Sequence, residues 1–224
     1  MNVPTSTSSD ITPVDQSYVM QHSLNNNSNH RSFSTDWLDS ICRQVINDMT
    51  NYGICVIDNF LGESTGDLIV EEVKSLYKYG VFKEGQLVRR DNRIRSPSQV
   101  IRGDKIIWVD GSESDCFNIR LLIQTLDTIL GKCNRVEDNG AFSKYQITSR
   151  TNAMIACYPG CGTHYVKHVD NPHEDGRRIT SIYYLNKNWD VQVDVCGKNF
   201  FPFVTTFFLS ISARWRFAAF VPDL

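Results

Sequence analysis

The order of its periodic segments is the feature that most constrains the fold of this chain. Apolar residues recur at helical spacing in three stretches, each closed by a glycine, at about 36–52, 64–79 and 116–130. Short β-type runs lie between these helices at 54–57 and 106–109. More runs follow them at 144–148, 153–158, 164–170 and 179–185. Helices followed by closely spaced strands predict an α+β domain, with a mainly antiparallel sheet supported by helices on one side.

Composition narrows the class of protein. Residues 1–35 are rich in Ser, Asn and Thr, which predicts a disordered tail. The formal net charge is -2, so neither nucleic acid nor a membrane is an expected partner. The seven cysteines form no Cys-x2-Cys pair, and no signal-peptide pattern begins the chain. A cytoplasmic or nuclear location is therefore expected.

The pair His168-x-Asp170 carries the chemical signal. On a strand, residues i and i+2 point to the same side, so the imidazole and the carboxylate can reach one metal ion. With a third ligand from elsewhere, such a pair forms the facial triad that leaves open positions on iron. Two other interpretations remain open: a surface histidine beside a turn aspartate, and a zinc pair of His164 and His168 at helical spacing.

The residues around this pair resemble the hypoxia-inducible-factor prolyl hydroxylases, which are iron(II)- and 2-oxoglutarate-dependent dioxygenases. The matching strings occur in family order over about residues 38–194. They are 52–56, 59–62, 101–106 with Trp108, 154–160, 165–172 and 182–186. The resemblance implies a double-stranded β-helix (jelly roll) with supporting amino-terminal helices, and a dioxygenase domain at 36–194. It also implies hydroxylation at C4 of a proline, with O2 as cosubstrate, in a target peptide of the hypoxia-inducible factor α type.

The resemblance assigns roles to individual residues. His168 and Asp170 match the family's iron ligands, and no further catalytic side chain is implied. Residues that match the 2-oxoglutarate pocket are Tyr158, Tyr184 and Met154. Residues that match positions near the peptide substrate are Tyr165, Arg177, Arg102, Asp104 and Trp108. The implied cofactors are Fe(II), 2-oxoglutarate and L-ascorbate.

The family pattern stops at about Asp194. The family's distal iron histidine and its 2-oxoglutarate arginine should follow, but His173 is the last histidine of the chain. Residues 195–224 are aromatic-rich and do not match the family, so we expect the jelly roll to be incomplete at its carboxyl end. One hypothesis is that a retained intron or an alternative terminal exon encodes this tail. The alternative to an active enzyme is a catalytically inactive truncated isoform or gene fragment that binds target peptide without turnover.

Overall fold

The computed structural model describes residues 11–13, 33–85, 103–158, 168, 170–171, 176–186 and 203–211. Its helices are α1 (Thr35–Asn51), α2 (Glu63–Lys78) and α3 (Phe117–Arg135), and a short 3-10 helix spans Gly140–Lys144. Its strands are β1 (Ile11–Pro13), β2 (Lys83–Glu84), β3 (Lys105–Val109), β4 (Ile147–Cys157), β5 (Arg177–Tyr184) and β6 (Phe203–Ile211). In the described part of the chain, no helix is both long and apolar enough to cross a membrane.

The strands form one sheet in the order β2-β3-β4-β6-β5, and every pair is antiparallel. Strand β1 pairs with residues 149–151 of β4. It lies on the same side of β4 as β3, which pairs with residues 153–157. This antiparallel sheet with packed helices confirms the coarse α+β prediction. The strand at Ile11–Pro13 lies within the segment for which the sequence predicts only a disordered tail.

Helix α1 begins and ends where its sequence directs. The Ser34 side chain accepts a hydrogen bond of 3.1 Å from the backbone N–H of Trp37, which satisfies one of the unpaired donors of the first turn. After Asn51 the chain turns through Gly53 at φ +71°, a conformation that glycine adopts without a Cβ penalty. The inward stripe of α1 contains Ile41, Cys42 and Val45, which pack against α3 in the second of two apolar clusters.

The three helices cover one face of the sheet. Ile69 and Val73 of α2, Ile119 of α3, and Val109 and Ile155 of the sheet are all buried in one apolar cluster. Burial of each such side chain stabilises the fold by roughly 1.5–3 kcal/mol relative to exposure. The opposite face of the sheet carries a separate small cluster around Met154 and Ala156. Met154 and Tyr158, two of the candidate site residues, therefore lie on the face that the helices leave uncovered.

Four local predictions were wrong in informative ways. Helix α2 begins at Glu63 with Gly62 as its N-cap, so Ser64 lies inside the first turn. Helix α3 continues through Gly131 to Arg135, because its last buried positions, Ile129, Leu130 and Cys133, still face α1. The run 54–57 pairs with no strand among the described residues. The two runs predicted at 144–148 and 153–158 form a 3-10 helix followed by the single long strand β4.

Candidate functional site

His168 and Asp170 bring two metal-binding groups together. The Nε2 atom of His168 lies 3.1 Å from Oδ1 of Asp170, and both side chains are largely covered. Two cis ligands of an octahedral ion, each about 2.1 Å from the metal, stand about 3.0 Å apart. Most of the strand predicted at 164–170 lies outside the described residues, and Asp170 itself is at a bend.

Strand β5 holds the Asp170 carboxylate in place. The hydroxyl of Thr180 donates a hydrogen bond of 2.8 Å to Oδ2 of Asp170. The side-chain amide of Asn171 donates a second bond of 2.8 Å to the carbonyl oxygen of Arg177, at the start of β5. These two anchors leave Oδ1 of Asp170 directed toward His168. Asp170 and Asn171 are thereby tied to strand β5.

Opposing effects act on the acidity of Asp170. Burial of the carboxylate raises its pKa. Hydrogen bonds from His168 and Thr180, together with the nearby charges of His168 and Arg177, lower the pKa by more than burial raises it. The pKa of Asp170 consequently lies below its ordinary value. A carboxylate that stays ionised is the form that binds a divalent cation.

The predicted cofactor residues share one face of the sheet. Met154 and Tyr158 of the β4 segment belong to the cluster on the uncovered face. The register aligns Met154 with Thr206 of β6, and Thr206 with Ile182 of β5. Because side chains alternate along a strand, Tyr184 lies on the same face as Ile182. Its side chain is 59% exposed, so the phenol is available to a ligand.

The predicted substrate residues are placed differently from one another. Trp108 is directly opposite Met154 across β3 and β4 and is 48% exposed. Arg177 begins β5 and its charge acts on Asp170. Asp104 is fully buried, and its carbonyl oxygen accepts a bond from the Gly85 N–H. That burial gives Asp104 a structural position and no exposed surface for a peptide.

Two predicted residues, Tyr165 and Arg102, lie outside the described residues. Sequence reasoning missed Thr180, which holds Asp170. The available signal was its position four residues before Tyr184, on the same face of a predicted strand. Within the described ranges, no group of three His, Cys, Asp or Glu residues is arranged to hold a metal ion.

Comparison with known proteins shows what this arrangement resembles. No family model matches the chain. It is 48% identical over 149 residues to Egl nine homolog 1 from Homo sapiens, a match that covers 66% of this chain and 33% of the relative. It is 40% identical over 157 residues to the hypoxia-inducible factor prolyl hydroxylase of Caenorhabditis elegans, covering 69% of this chain and 21% of the relative. The chain thus spans one third or less of these two curated relatives.

A solved structure matches over most of both chains. It is a prolyl hydroxylase in complex with a hypoxia inducible factor oxygen degradation domain peptide fragment from Trichoplax adhaerens. The TM-score is 0.63 at 33% sequence identity, and the match covers 85% of this chain and 90% of that one. Similarity at this identity, over nearly the whole of the solved chain, shows a shared family. The protein belongs to the hypoxia-inducible-factor prolyl hydroxylases.

Proposed function

We propose that this protein is an iron(II)- and 2-oxoglutarate-dependent prolyl hydroxylase that acts on a proline in a hypoxia-inducible-factor α-type peptide. The observation that carries the proposal is the 3.1 Å separation between Nε2 of His168 and Oδ1 of Asp170. A neutral imidazole and a carboxylate are donors that ferrous iron accepts, and their spacing suits adjacent positions on one ion. Bound Fe(II) with 2-oxoglutarate supplies the O2-dependent oxidation of the proline C–H bond, with succinate and CO2 as coproducts.

The chain's own residues would orient the cosubstrate. The exposed phenol of Tyr184 is a suitable donor to the distal carboxylate of 2-oxoglutarate. Met154 and Tyr158 supply an apolar wall on the same face, which excludes water from the chelating end. We further propose L-ascorbate as the reductant that maintains the ferrous state.

The peptide would lie across the uncovered face of the sheet. Trp108 offers an exposed aromatic surface there, and Arg177 places a positive charge beside Asp170. The sheet would form one half of a jelly roll, with the metal loop on its open side. We place the protein in the cytoplasm or the nucleus, where reducing conditions keep its cysteines as thiols.

A second candidate function is binding of the target peptide without turnover. The favouring observation is that no third His, Cys, Asp or Glu joins the pair within the described ranges, and that no histidine follows His173 in the sequence. Two protein ligands bind a divalent ion more weakly than three, because fewer bonds offset its dehydration. This candidate retains the exposed peptide-binding face and loses only the oxidation step.

One set of measurements separates these functions. Purified chain, a proline-containing target peptide, Fe(II), 2-oxoglutarate and O2 are incubated, and succinate and peptide mass are measured. We expect one succinate for each peptide that gains one oxygen atom, and no product from His168→Ala or Asp170→Ala. Peptide binding without succinate at saturating iron would establish the second candidate. If Mn(II) binds the wild type and both variants equally well, the metal site itself is refuted.

A further inference from the structure

Two buried cysteines meet where helix α1 packs against helix α3. Cys42 is 2% exposed and Cys133 is fully buried, and both belong to the apolar cluster that the two helices share. The Sγ atom of Cys133 lies 3.8 Å from the carbonyl oxygen of Cys42. In turn, the Sγ atom of Cys42 lies 3.7 Å from the carbonyl oxygen of Ile129, one helical turn before Cys133. Each thiol is thus directed at the backbone of the partner helix.

The two thiols are also hydrogen-bonded to each other, and this bond makes them unequal. It lowers the pKa of Cys42 and raises the pKa of Cys133, so Cys133 donates the bond and Cys42 accepts it. Burial raises the pKa of Cys42 and the nearby charge of Lys132 lowers it, and the pKa remains below its ordinary value. Because the thiolate is the reactive form of cysteine, Cys42 is the more nucleophilic sulfur of the pair.

A small apolar cavity of about 180 Å³ lies beside this pair. Val45 lines the cavity one turn after Cys42, and Ile129 lines it one turn before Cys133. Cys55 is a further lining residue, and it lies close enough to raise the pKa of Cys133. A water molecule takes up about 30 Å³, so the cavity has room for a molecule the size of hydrogen peroxide next to the two sulfurs.

We propose that Cys42 and Cys133 are a redox-active pair, which hydrogen peroxide converts to a disulfide that joins α1 to α3. The thiolate sulfur of Cys42 attacks one peroxide oxygen, the O–O bond breaks, and hydroxide leaves with the bonding electrons, which makes Cys42 a sulfenic acid. The sulfur of Cys133 then attacks the Cys42 sulfur and loses its proton, and the S–O bond breaks. In total the two thiols lose two electrons and two protons, and one peroxide becomes two molecules of water.

The disulfide would change the stability of the protein. It would close a loop of about 90 residues and so restrict the unfolded chain. It would also fix the helical layer that packs on β5, since Val45 and Ile129 line the same cavity as Ile179 and Tyr183 of that strand. A small dithiol reductant would reverse the reaction by thiol–disulfide exchange. None of these steps depends on a metal at His168.

The test is peroxide oxidation of the dilute full chain, followed by trypsin digestion and mass spectrometry without reduction. Trypsin releases Cys42 in the peptide 32–43 and Cys133 in the peptide 133–135. We expect a disulfide between these two peptides, and a rise of about 10 °C in the midpoint of thermal unfolding. Dithiothreitol should reverse both changes.

Two single variants test the roles of the two sulfurs. With Cys133→Ala, oxidation should stop at the sulfenic acid of Cys42, which dimedone traps on the peptide 32–43. Cys42→Ala should leave Cys133 unmodified, because its thiol retains its proton. The matched control is Cys116→Ala, since Cys116 is equally buried but its pKa responds to burial and to carboxylates such as that of Glu113. This variant should form the disulfide as the wild type does.

Each variant is compared in its oxidised and reduced forms, so a difference in its basal stability does not affect the result. If a variant does not fold, the peptide map of the wild type still decides the proposal. A link from Cys133 to Cys55, or a link between two chains, overturns it. So does a wild-type chain in which both cysteines remain thiols. A linked chain without a higher thermal midpoint equally refutes it, because the bond then forms outside the folded state.

Discussion

The hydroxyl of Thr180 donates a 2.8 Å hydrogen bond to the Asp170 oxygen that does not face His168. This bond fixes the rotation of the carboxylate, so that its other oxygen stays available to a metal. Replacement Thr180→Val keeps the shape and removes the donor. We expect Mn(II) affinity to fall about tenfold, as for other hydrogen bonds that orient a metal ligand.

The matched control for this prediction is Thr180→Ser, which keeps the hydroxyl. Titration with Mn(II), followed by calorimetry or electron paramagnetic resonance, measures the affinity without any need for turnover. Equal affinities for the valine and serine variants would show that the hydrogen bond does not position Asp170.

A second prediction concerns Glu72, which caps α3 from the neighbouring helix α2. Its carboxylate accepts bonds of 2.8 Å from the Asn118 N–H and 2.9 Å from the Ile119 N–H, while the N-cap residue Cys116 supplies no side-chain bond. Substitution Glu72→Ala should lower the free energy of unfolding by about 2 kcal/mol, since two donors lose a charged partner. Urea unfolding followed by circular dichroism measures the change.

Glu71 is the matched control for that experiment. Its side chain is exposed, and its carboxylate pairs with Lys74 one turn away, at 2.9 Å. Substitution Glu71→Ala should therefore change the free energy of unfolding by less than about 0.5 kcal/mol. Similar losses for the two variants would refute the capping role of Glu72.

Two glycines should respond to alanine in opposite directions. Gly140 has φ +54°, and a Cβ there would collide with the Thr50 side chain, which also accepts the 2.9 Å bond from the Ala141 N–H. Gly140→Ala should cost about 2 kcal/mol or more. Gly131 lies within α3, where a Cβ would meet only the Arg135 guanidinium at 3.8 Å. Gly131→Ala should stabilise by up to about 1 kcal/mol. Thermal unfolding of both variants measures the two changes in stability. If both variants were stabilised, or both destabilised, the prediction would be contradicted.

Because the Cys157 thiol is buried, we expect the protein to lose stability in alkaline solution. Burial raises the pKa of its thiol from 9.0 to about 12, so between those values the unfolded chain has lost a proton that the folded chain retains. Unfolding then releases a proton, and the free energy of unfolding falls by at most about 1.4 kcal/mol for each pH unit. Cys157→Val should make this decline shallower in urea titrations between about pH 8 and about pH 10.5.

The non-titrating control is Ile155→Val, on the same buried strand. It should lower stability by about 1 kcal/mol at every pH without changing the slope. An unchanged slope in the Cys157 variant would show that this thiol does not govern the alkaline behaviour.

Local patterns predicted the helices and the central strands because helical and strand periodicities are properties of short segments. They did not predict the end of α3, since Gly131 weakens a helix alone, whereas the contacts of Leu130 and Cys133 with α1 outweigh that cost. They also failed at 54–57, because a run of β-type residues becomes a strand only when a neighbouring strand shares its backbone hydrogen bonds.

The pairing of His168 with Asp170 was predicted from two positions in the sequence, and the structure brings their side chains together. Thr180, which bonds to Asp170, was not predicted, because its role depends on a contact with a residue ten positions away in the sequence. Asp104 was expected near substrate, yet the structure buries it completely. The roles that the sequence assigns to the site residues, in binding iron, cosubstrate and peptide, remain predictions that the experiments above address.

The position of β6 has a consequence for how the protein is made. Among the strands that the structure describes, β5 comes next after β4 in the chain, but the two do not pair, since β6 lies between them and bonds to both. The ribosome therefore synthesises the strand that joins them after both of them, and until then the facing edges of β4 and β5 lack this partner. Long-range closure of this kind is slow, so the growing chain should depend on chaperones that shield the exposed strands until β6 has been synthesised.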